Sequence, residues 1–425
     1  MTTLLSADWV LPVDAPPIAD GAVAFEDGRI VGVGTASELG SGTRFDDAAI
    51  LPGFVDAHAH LEYAAYAGFG DGLPFVPWLG LHIERKRRLE LADMESIARL
   101  GAYECLRSGI TTVGDLSFSG ASATACAELG LRATVYLEVF GRDRDAVEQL
   151  AERRARIEPV LSDRVRLGVS PHAPYTCSVE LYEACASLGL PLATHLSESE
   201  AEDAWVRRGD GPWSQIADLL APAYGAGAIP TLAAAGVLGP GVVAAHCVHV
   251  DAAEIALLAE HDVAVAHCPR SNALLGCGLA PLSSLREAGV RVCLATDSPA
   301  STPSFDMFAE LRAALITARG RERRPDALTT ADALELATLG GARALGLEDE
   351  VGSIAVGKRA DLAILSLADS GFLPWEDPAT AVVLGGRPER VVATVVDGER
   401  VYENGESTCP DLIDAARSAR SRMLQ

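Results

Sequence analysis

Short apolar segments that alternate with helical patterns constrain the fold of this 425-residue chain more than any other feature. Eight such segments run through the middle of the sequence, and they end near Asp56, Asp115, Glu138, His172, His195, His246, His267 and Asp297. Continuous apolar strands separated by helices are typical of parallel sheets that are covered by helices. Eight strand–helix units between residues 50 and 349 therefore predict an α/β fold, a (β/α)8 barrel of the TIM type.

The two ends of the chain follow a different pattern. Residues 1–49 and 350–405 read as short strands separated by turns, including the hairpin signal Glu26-Asp27-Gly28. Neither end can build a core alone, so we expect the two to form one small composite β-sandwich beside a barrel at residues 50–349. Residues 406–425 have the amphipathic pattern of a C-terminal helix.

Five of the polar residues at predicted strand ends form a candidate metal site. His58 and His60 lie two residues apart in the first strand and would share a face. The other three, His195, His246 and Asp297, end the fifth, sixth and eighth strands. The C-terminal ends of barrel strands meet at one mouth, and imidazole and carboxylate groups suit zinc or iron. One such histidine is more often structural, but five residues at the correct strand ends predict a metal site.

Charge and composition exclude several classes of partner. The formal net charge of −24 argues against nucleic acids and anionic membranes. No apolar stretch reaches the roughly 18 residues of a membrane helix, and no signal-peptide pattern is seen. The nine cysteines are scattered without a CxxC pair, so we expect reduced thiols and a cytoplasmic location. The G-x-S-x-G elbow, the P-loop and the signature of the small zinc deaminases are absent.

Six segments carry the motifs of a known superfamily as a set. They are residues 51–60 (LPGFVDAHAH), 170–176 (SPHAPYT), 194–198 (THLSE), 267–272 (HCPRSN), 295–298 (ATDS) and 352–362 (GSIAVGKRADL). The chain thereby resembles the amidohydrolase superfamily, and within it the mononuclear group of cytosine-deaminase-like and chlorohydrolase-like enzymes. The resemblance runs from residue 1 to about 405 and implies the barrel, the flanking sandwich and metal-dependent hydrolytic deamination.

The resemblance also implies roles for individual residues. One divalent metal, Zn²⁺ or alternatively Fe²⁺, would be bound by His58, His60, His195 and Asp297. The metal would activate a water molecule, His246 would orient that water, and Asp297 would accept its proton. Glu198 would carry protons to the substrate ring and to the leaving amine. The sequence leaves open the alternative that Glu198 is only an acid at the start of a helix.

Lysine is scarce, and this bears on the number of metal ions. The sequence contains only Lys86 and Lys358, and neither lies in a predicted barrel strand. Binuclear members of the superfamily bridge two metals with a modified lysine on the fourth strand, which ends here at His172. The resemblance therefore implies a single metal ion.

Substrate contacts follow less directly from the motifs. His172 lies in the Ser-Pro-His-Ala-Pro-Tyr-Thr segment, whose context in the superfamily implies a contact with the substrate. Further expected contacts are Trp78, Ser298 and Glu84, although Glu84 suits a solvated helix acid almost as well. A substrate carboxylate would need a cation, for which the candidates are Arg142, Arg85 and Arg88. The histidines interpreted as structural are His82, His249 and His261, whereas His267 remains ambiguous.

Two segments point to a substrate class. His60-Leu61-Glu62-Tyr63 and Phe75-Val76-Pro77-Trp78-Leu79 are similar to the aminofutalosine deaminases. These enzymes convert 6-amino-6-deoxyfutalosine to futalosine on a bacterial route to menaquinone, so a purine nucleoside is the expected small-molecule partner. The alternatives are a deaminase of S-adenosylhomocysteine, methylthioadenosine or adenosine, a triazine chlorohydrolase, and a non-catalytic, metal-free scaffold protein. The oligomeric state stays open, with a homodimer as one alternative.

Overall fold

The computed structural model of the chain contains eight parallel strands in one sheet and seven strands in another. It describes residues 2–40, 42–368, 376–404 and 410–425. The strands are β1 (Thr3–Val10), β2 (Ile18–Glu26), β3 (Arg29–Thr35), β4 (Thr43–Pro52), β5 (Phe54–Ala59), β6 (Ile110–Ser117), β7 (Arg132–Val139), β8 (Val165–Pro171), β9 (Leu192–Leu196), β10 (Val242–His246), β11 (Ala264–His267), β12 (Arg291–Leu294), β13 (Leu362–Ser366), β14 (Val391–Val396) and β15 (Glu399–Glu403).

Helices follow most of the strands of the larger sheet. They are α1 (Ala36–Leu39), α2 (Phe75–Lys86), α3 (Leu91–Arg107), α4 (Ala121–Leu129), α5 (Leu150–Ile157), α6 (Val179–Ala186), α7 (Glu200–Arg208), α8 (Ala228–Ala234), α9 (Ala252–Glu260), α10 (Pro269–Leu274), α11 (Leu282–Glu287), α12 (Met307–Glu322), α13 (Thr330–Leu336), α14 (Leu339–Ala344), α15 (Pro378–Gly385) and α16 (Pro410–Met423). Among the described residues, no helix is long and apolar enough to cross a membrane.

Strands β5 to β12 pair in chain order, each parallel to the next. The predicted (β/α)8 barrel is therefore confirmed. Its interior is a packed layer of mostly small apolar side chains, among them Val55, Ala57, Tyr136, Ala193 and Ala266. Such a filled interior leaves only the ends of the barrel open, so functional groups must lie at the C-terminal mouth.

The barrel closes between its last strand and its first. The backbone N–H of Asp297 donates to the carbonyl of His58 at 3.0 Å, and that of Thr296 donates to the carboxylate of Asp56 at 3.0 Å. Burial raises the pKa of Asp56 to about 6, although the hydrogen bonds from Thr296 oppose this rise. Closure at this seam brings Asp297 beside the strand that carries His58 and His60.

The first barrel strand differs from the prediction in its start. The sequence predicts that the barrel starts at residue 50, but residues 50–52 belong to β4 and the first barrel strand begins at Phe54. Gly53 lies between the two strands. Only glycine fits at this position, because an added Cβ would lie 2.1 Å from the side chain of Thr111. The pairing of β5 with β6 is irregular between Asp56 and Ala59, and this bulge turns both histidines toward the mouth.

The two chain ends form one sheet in the order β15-β14-β13-β4-β1-β2-β3. The antiparallel pairing of β4 with β13 joins the N-terminal strands to the C-terminal strands. The predicted sandwich therefore takes the form of one continuous hydrogen-bonded sheet with contributions from both ends. Arg132, at the start of β7, is buried and pairs with Asp361 and Asp397 at 2.9 and 2.6 Å, which ties this sheet to the barrel.

The C-terminal helix α16 packs against the segment between β5 and α2. Ala419 and Met423 are buried beside Tyr66 and Phe69. Arg420 lies over the ring of Phe69 and donates to the carbonyls of residues 65 and 67. The helix predicted from the last residues thus supports the loop that leads into α2.

Candidate active site

The strand ends bring four histidines and one aspartate together at the mouth of the barrel. Potential ligand atoms lie within 4.8 Å of one another in two overlapping groups, His58–His195–His246 and His58–His60–Asp297. Nε2 of His60 lies 3.2 Å from Nε2 of His195, and Oδ1 of Asp297 lies 3.5 Å from Nε2 of His58 and 3.6 Å from Nε2 of His60. The residues that the sequence selected as metal ligands therefore meet at one point.

The tautomers of His60 and His195 leave two lone pairs facing each other. Nδ1 of His60 contacts the carbonyl of Leu116 at 3.2 Å, and Nδ1 of His195 contacts the carbonyl of His172 at 2.8 Å. A carbonyl can only accept, so both Nδ1 atoms carry the proton and both Nε2 atoms lack one in the neutral rings. Burial keeps the rings neutral, since it lowers the pKa of His60 to about 3 and that of His195 well below its usual value.

These distances and protonation states fit a tetrahedral metal ion. Ligand atoms about 2.0–2.2 Å from zinc in a tetrahedron lie roughly 3.3–3.6 Å from one another, close to the separations described above. Nε2 of His58 is buried and has no hydrogen-bond partner in the described part of the chain. An orphaned imidazole nitrogen beside two opposed lone pairs and a carboxylate is a donor set that suits a divalent cation.

Asp297 is held in place by neighbouring hydroxyl groups. Ser271 and Ser301 donate to Oδ2 at 2.6 and 2.9 Å, which leaves Oδ1 directed at the histidines. Burial favours the neutral acid, but the adjacent His58 and His246 outweigh it and hold the pKa of Asp297 well below its usual range. The carboxylate is therefore ionised, as a metal ligand must be.

Three residues of the mouth have left-handed backbone conformations. His246, Asp297 and Ser197 have φ values of 74°, 59° and 52°. Non-glycine residues seldom adopt this region, and such strain concentrates at functional sites. Here each strand ends with a sharp change of backbone direction, which turns the side chain that follows toward the shared mouth.

Glu198 faces the same mouth from the turn after β9. It is buried, its Oε1 lies 3.7 Å from Nε2 of His246, and burial raises the pKa of Glu198 well above its usual value. Helix α7 starts two residues later and is capped by the side chain of Ser199, so the helix-start role belongs to Ser199. The carboxylate of Glu202 accepts hydrogen bonds from the backbone N–H groups of Ser197 and Glu198, both at 2.8 Å, and so fixes this turn.

His246 is oriented by an amide. Its Nδ1–H donates a hydrogen bond to Oδ1 of Asn272 at 2.9 Å. Nε2 therefore carries the lone pair of the ring, and this lone pair is directed toward Glu198. Burial lowers the pKa of His246, so the ring is neutral. A neutral imidazole with a free Nε2 can accept a hydrogen bond from a water molecule in the mouth.

A cavity of about 430 Å³ opens onto these groups, a size within the range of small-molecule sites. Three of the expected substrate contacts, His172, Trp78 and Ser298, line it. His172 also supports the metal site, because its carbonyl accepts from both the backbone N–H and Nδ1 of His195. Leu219, from the segment between β9 and β10, also lines the cavity.

The other expected contacts lie elsewhere, and these predictions are corrected by the structure. The side chain of Glu84 is 63% exposed and pairs with Arg88, as a solvated helix acid does. Arg142 is exposed and donates to the carbonyls of residues 217 and 218. Arg85 and Arg88 both donate to the carbonyl of Met423. None of these four side chains lines the cavity, because each is used to solvate or fasten a surface element.

Sequence reasoning missed several side chains that do line the cavity. On α2 they are His82, Ile83, Lys86 and Arg87, and on β7 the missing residue is Glu138. His82, interpreted as structural, packs against Trp78 with ring centres 4.4 Å apart. A signal was available for both elements. Steps of four residues from Trp78 lead to His82 and Lys86 on one helix face, and strand alternation places Glu138 on the same face as Tyr136.

Comparisons with known proteins agree with this geometry. The sequence profile of the amidohydrolase family matches residues 49–401. A 5-methylthioadenosine/S-adenosylhomocysteine deaminase of Moorella thermoacetica is 34% identical over 429 residues, an alignment that covers 97% of each chain. A 5′-deoxyadenosine deaminase of Methanothermobacter thermautotrophicus is 36% identical over 408 residues, covering 93% of this chain and 92% of that one.

The fold comparison gives a similar result. The crystal structure of an adenosine deaminase from Xanthomonas campestris, determined with bound zinc, superposes with a TM-score of 0.87 at 28% identity. The superposition covers 99% of this chain and 98% of that chain. The similarity therefore extends over the barrel and the sheet formed by the chain ends.

Proposed function

The chain belongs to the amidohydrolase family, and we propose that it deaminates adenine nucleosides. One observation carries the proposal. The donor set of His58, His60, His195 and Asp297 lies beside the buried Glu198, whose pKa burial raises well above its usual value, at a cavity of about 430 Å³. A metal ligand set and a proton donor that share one mouth are what hydrolytic deamination requires.

The proposed metal is a single divalent ion, with Zn²⁺ preferred and Fe²⁺ as the alternative. His58, His60, His195 and Asp297 would hold it. When bound, the ion supplies the Lewis acidity that makes water reactive at neutral pH. Strand β8 contains no lysine that could act as the bridging ligand of a second metal.

The protein's own groups would handle the protons. Hydrolytic deamination adds water to the ring carbon that carries the amino group and then releases ammonia. Glu198, whose pKa burial raises well above its usual value, would give its proton to the adjacent ring nitrogen. It would then relay to the departing amine the proton that Asp297 takes from water, and it would regain its own proton from the added hydroxyl as the ring carbonyl forms. His246 would accept a hydrogen bond from the attacking water through its free Nε2, and Asp297 would accept the proton of that water. In the net reaction, one proton of water thus ends on the ring and the other on the amine.

The substrate class follows from the relatives and from the cavity. The aligned relatives are named for adenine nucleosides that differ only at the 5′ position. Aromatic side chains form much of the cavity wall, including Phe75, Trp78, Phe118 and Tyr175, and such a wall suits a purine and an apolar 5′ substituent. These features support deamination of an adenine nucleoside with a large 5′ group.

Within this class, we propose 6-amino-6-deoxyfutalosine as the substrate and a place in menaquinone formation. The support is the similarity of residues 60–63 and 75–79 to aminofutalosine deaminases. The benzoate of that substrate would need a cation. Arg87 lines the cavity and replaces the three arginines proposed from the sequence. The names of the aligned relatives favour a second candidate, deamination of methylthioadenosine, S-adenosylhomocysteine or 5′-deoxyadenosine.

A substrate panel tests the proposal. The zinc-loaded protein is assayed for ammonia release from 6-amino-6-deoxyfutalosine, S-adenosylhomocysteine, methylthioadenosine, 5′-deoxyadenosine, adenosine, guanine, cytosine and a chlorotriazine. We expect the first to have the highest kcat/KM and the last three to be inert. Preference for S-adenosylhomocysteine by tenfold or more, about 1.4 kcal/mol, would retain the chemistry and refute the futalosine assignment. If guanine, cytosine or the chlorotriazine is the best substrate, both the proposed chemistry and the futalosine assignment are refuted.

A further inference from the structure

Two buried acids at the mouth of the barrel have opposite surroundings. Glu62 and Glu138 are both only 2% exposed. The carboxylate of Glu62 accepts hydrogen bonds from the hydroxyls of Ser117 and Ser119 and from the backbone N–H of Ser119. Its acceptor capacity is therefore used within the protein. The carboxylate of Glu138 has no hydrogen-bond or ion-pair partner among the residues that the structure describes.

The register of β7 directs Glu138 into the ligand cavity. Tyr136 points into the packed interior of the barrel, and residues two apart in a strand share a face. Glu138 therefore continues this inward row one step nearer the mouth, where it lines the cavity. Burial raises the pKa of Glu138 to about 7, although the nearby Lys86 opposes that rise. A buried carboxylate without a partner is costly to the fold, which indicates that a ligand supplies the missing donors.

Lys86 is the cation that faces the same space. It ends helix α2, and its Nζ donates to the hydroxyl of Tyr63 at 2.9 Å and lies 3.9 Å from the ring centre of Phe118. No carboxylate in the described ranges forms an ion pair with it. An acid and an ammonium thus line one cavity, close enough to influence each other's charge but not paired.

We propose that Glu138 and Lys86 form a subsite for two vicinal hydroxyl groups, which are those of the ribose if the proposed function is correct. A carboxylate accepts hydrogen bonds only, and an ammonium donates only. A hydroxyl both donates and accepts, so a vicinal diol can give its two protons to Glu138 while one of its oxygens accepts from Lys86. A ligand of this kind satisfies both unpaired groups without neutralising either.

The position of the pair selects the sugar over the far end of a 5′ substituent. Lys86 and Glu138 line the same cavity as His60 and His172, so the pair lies on the wall of the space into which these imidazoles face. The group attached directly to a purine at this place is its sugar. A distal 5′ carboxylate would instead reach the outer rim, where Arg87 is exposed. The pair therefore distinguishes nucleosides from free bases.

The test combines a change of substrate with a change of residue. We measure kcat/KM for adenosine, 2′-deoxyadenosine and 3′-deoxyadenosine with the unmodified enzyme and with Glu138→Gln and Lys86→Met. Glu183→Gln is the matched control, because Glu183 is an exposed acid on α6 that pairs with Arg144. We expect Glu138→Gln to lower kcat/KM for adenosine by about 10- to 100-fold, the scale of a hydrogen bond to a charged group. Each deoxynucleoside keeps one of the two hydroxyls, so its loss should be smaller, about three- to tenfold.

Equilibrium binding separates this inference from the proposed function. Binding of adenosine and 2′-deoxyadenosine is measured by calorimetry with Glu198→Gln and with the double variant Glu198→Gln/Glu138→Gln, neither of which turns substrate over rapidly. Preference for adenosine that is present in the first and lost in the second supports the subsite even if no nucleoside is deaminated by the unmodified enzyme. If the unmodified enzyme deaminates no nucleoside, only the proposed function is refuted.

Two outcomes would overturn the subsite. One is an equal loss for all three nucleosides in Glu138→Gln, which would assign Glu138 a structural role. The other is a loss that depends on the 5′ group and not on the sugar hydroxyls. If the variant loses more kcat/KM with S-adenosylhomocysteine than with methylthioadenosine, the pair binds the ammonium and carboxylate of an amino acid. Circular dichroism and metal content, unchanged from the control, exclude misfolding as the cause of either result.

Discussion

The floor and the α2–β7 wall of the cavity are built on different principles. The floor consists of His58, His60, His195, His246 and Asp297, all at strand ends that the barrel geometry holds in one place. The wall consists of side chains from helix α2 together with Glu138 of β7. In the floor, His60, His195, His246 and Asp297 are each fixed by a hydrogen bond to the backbone or to a neighbouring side chain. In the wall, Lys86 makes one such bond and Glu138 makes none that the structure describes.

This difference separates chemistry from selectivity. Groups that the protein satisfies by itself are rigid before a ligand arrives, as a metal site and an acid–base group need to be. Groups that the protein leaves unsatisfied gain their partners from the ligand, and an analogue that lacks those partners is penalised. We therefore expect changes in the floor to abolish turnover of every substrate, and changes in the wall to alter which substrate is preferred.

The largest effect should come from removing a floor ligand. His195→Ala takes away one of the two opposed Nε2 atoms, so we expect loss of bound metal and a fall in kcat/KM of roughly 1,000-fold or more, on the scale of several kcal/mol of metal catalysis. Elemental analysis and kinetics on the same sample measure both. His261→Ala, a histidine at the C-terminal end of α9, is the control and should retain metal. An active His195→Ala enzyme that keeps its metal would contradict the ligand assignment.

A smaller effect is expected from the proton carrier. Glu198→Gln retains the shape of the side chain but cannot exchange protons. We expect kcat to fall by about 100-fold or more for every nucleoside, with the metal retained. Single-turnover measurements with two substrates check that the loss is the same for both. Near-normal turnover would show that Glu198 does not transfer protons.

The turn that carries Glu198 should be more tolerant. Glu202→Gln replaces one acceptor oxygen with an amide group, so one of the two backbone N–H bonds at Ser197 and Glu198 is lost. We expect kcat to fall about tenfold, the scale of one charge-assisted hydrogen bond, while KM and metal content change little. A purely structural role for Glu202 would instead lower the melting temperature and leave kcat per folded molecule unchanged.

The smallest effect is expected at Glu84, where the sequence predicts a substrate contact and the structure places the side chain in solvent. Glu84 and Lys86 lie two residues apart on α2, and Glu84 faces solvent. We expect Glu84→Gln to change kcat/KM by less than twofold for every nucleoside, as surface substitutions usually do. A loss of kcat/KM that occurs only with ribonucleosides would assign the sugar subsite to Glu84 and not to Glu138. It would then contradict the division between floor and wall.

The floor could be predicted because strands leave little freedom. Alternation and the barrel rule together fix where a strand-end side chain points, so the positions of His195 and Asp297 followed from their places in the sequence. The bulge before His58 and the left-handed backbone of His246 could not be predicted, because both depend on contacts with neighbouring strands. The motif spacing nevertheless identified the residues that meet at the mouth of the barrel.

The wall was predicted less well because a helix can present any face. Successive helical residues differ by about 100° in direction, so Glu84 and Lys86 point to widely separated sides of α2. The sequence showed a helix but not which side meets the cavity. The packing of α16 decides this, since Arg85 and Arg88 are turned toward the carbonyl of Met423. That contact joins residues remote in sequence, and no local pattern reveals it.

The seam between β12 and β5 also determines when the protein can become active during its synthesis. His58 and His60 leave the ribosome long before Asp297, and the backbone bond between Asp297 and His58 forms only when the last barrel strand docks on the first. Contacts between such distant residues form late in folding. A nascent chain therefore carries the imidazoles of His58 and His60 without the carboxylate of Asp297, and the groups of the candidate metal site meet only when the barrel closes.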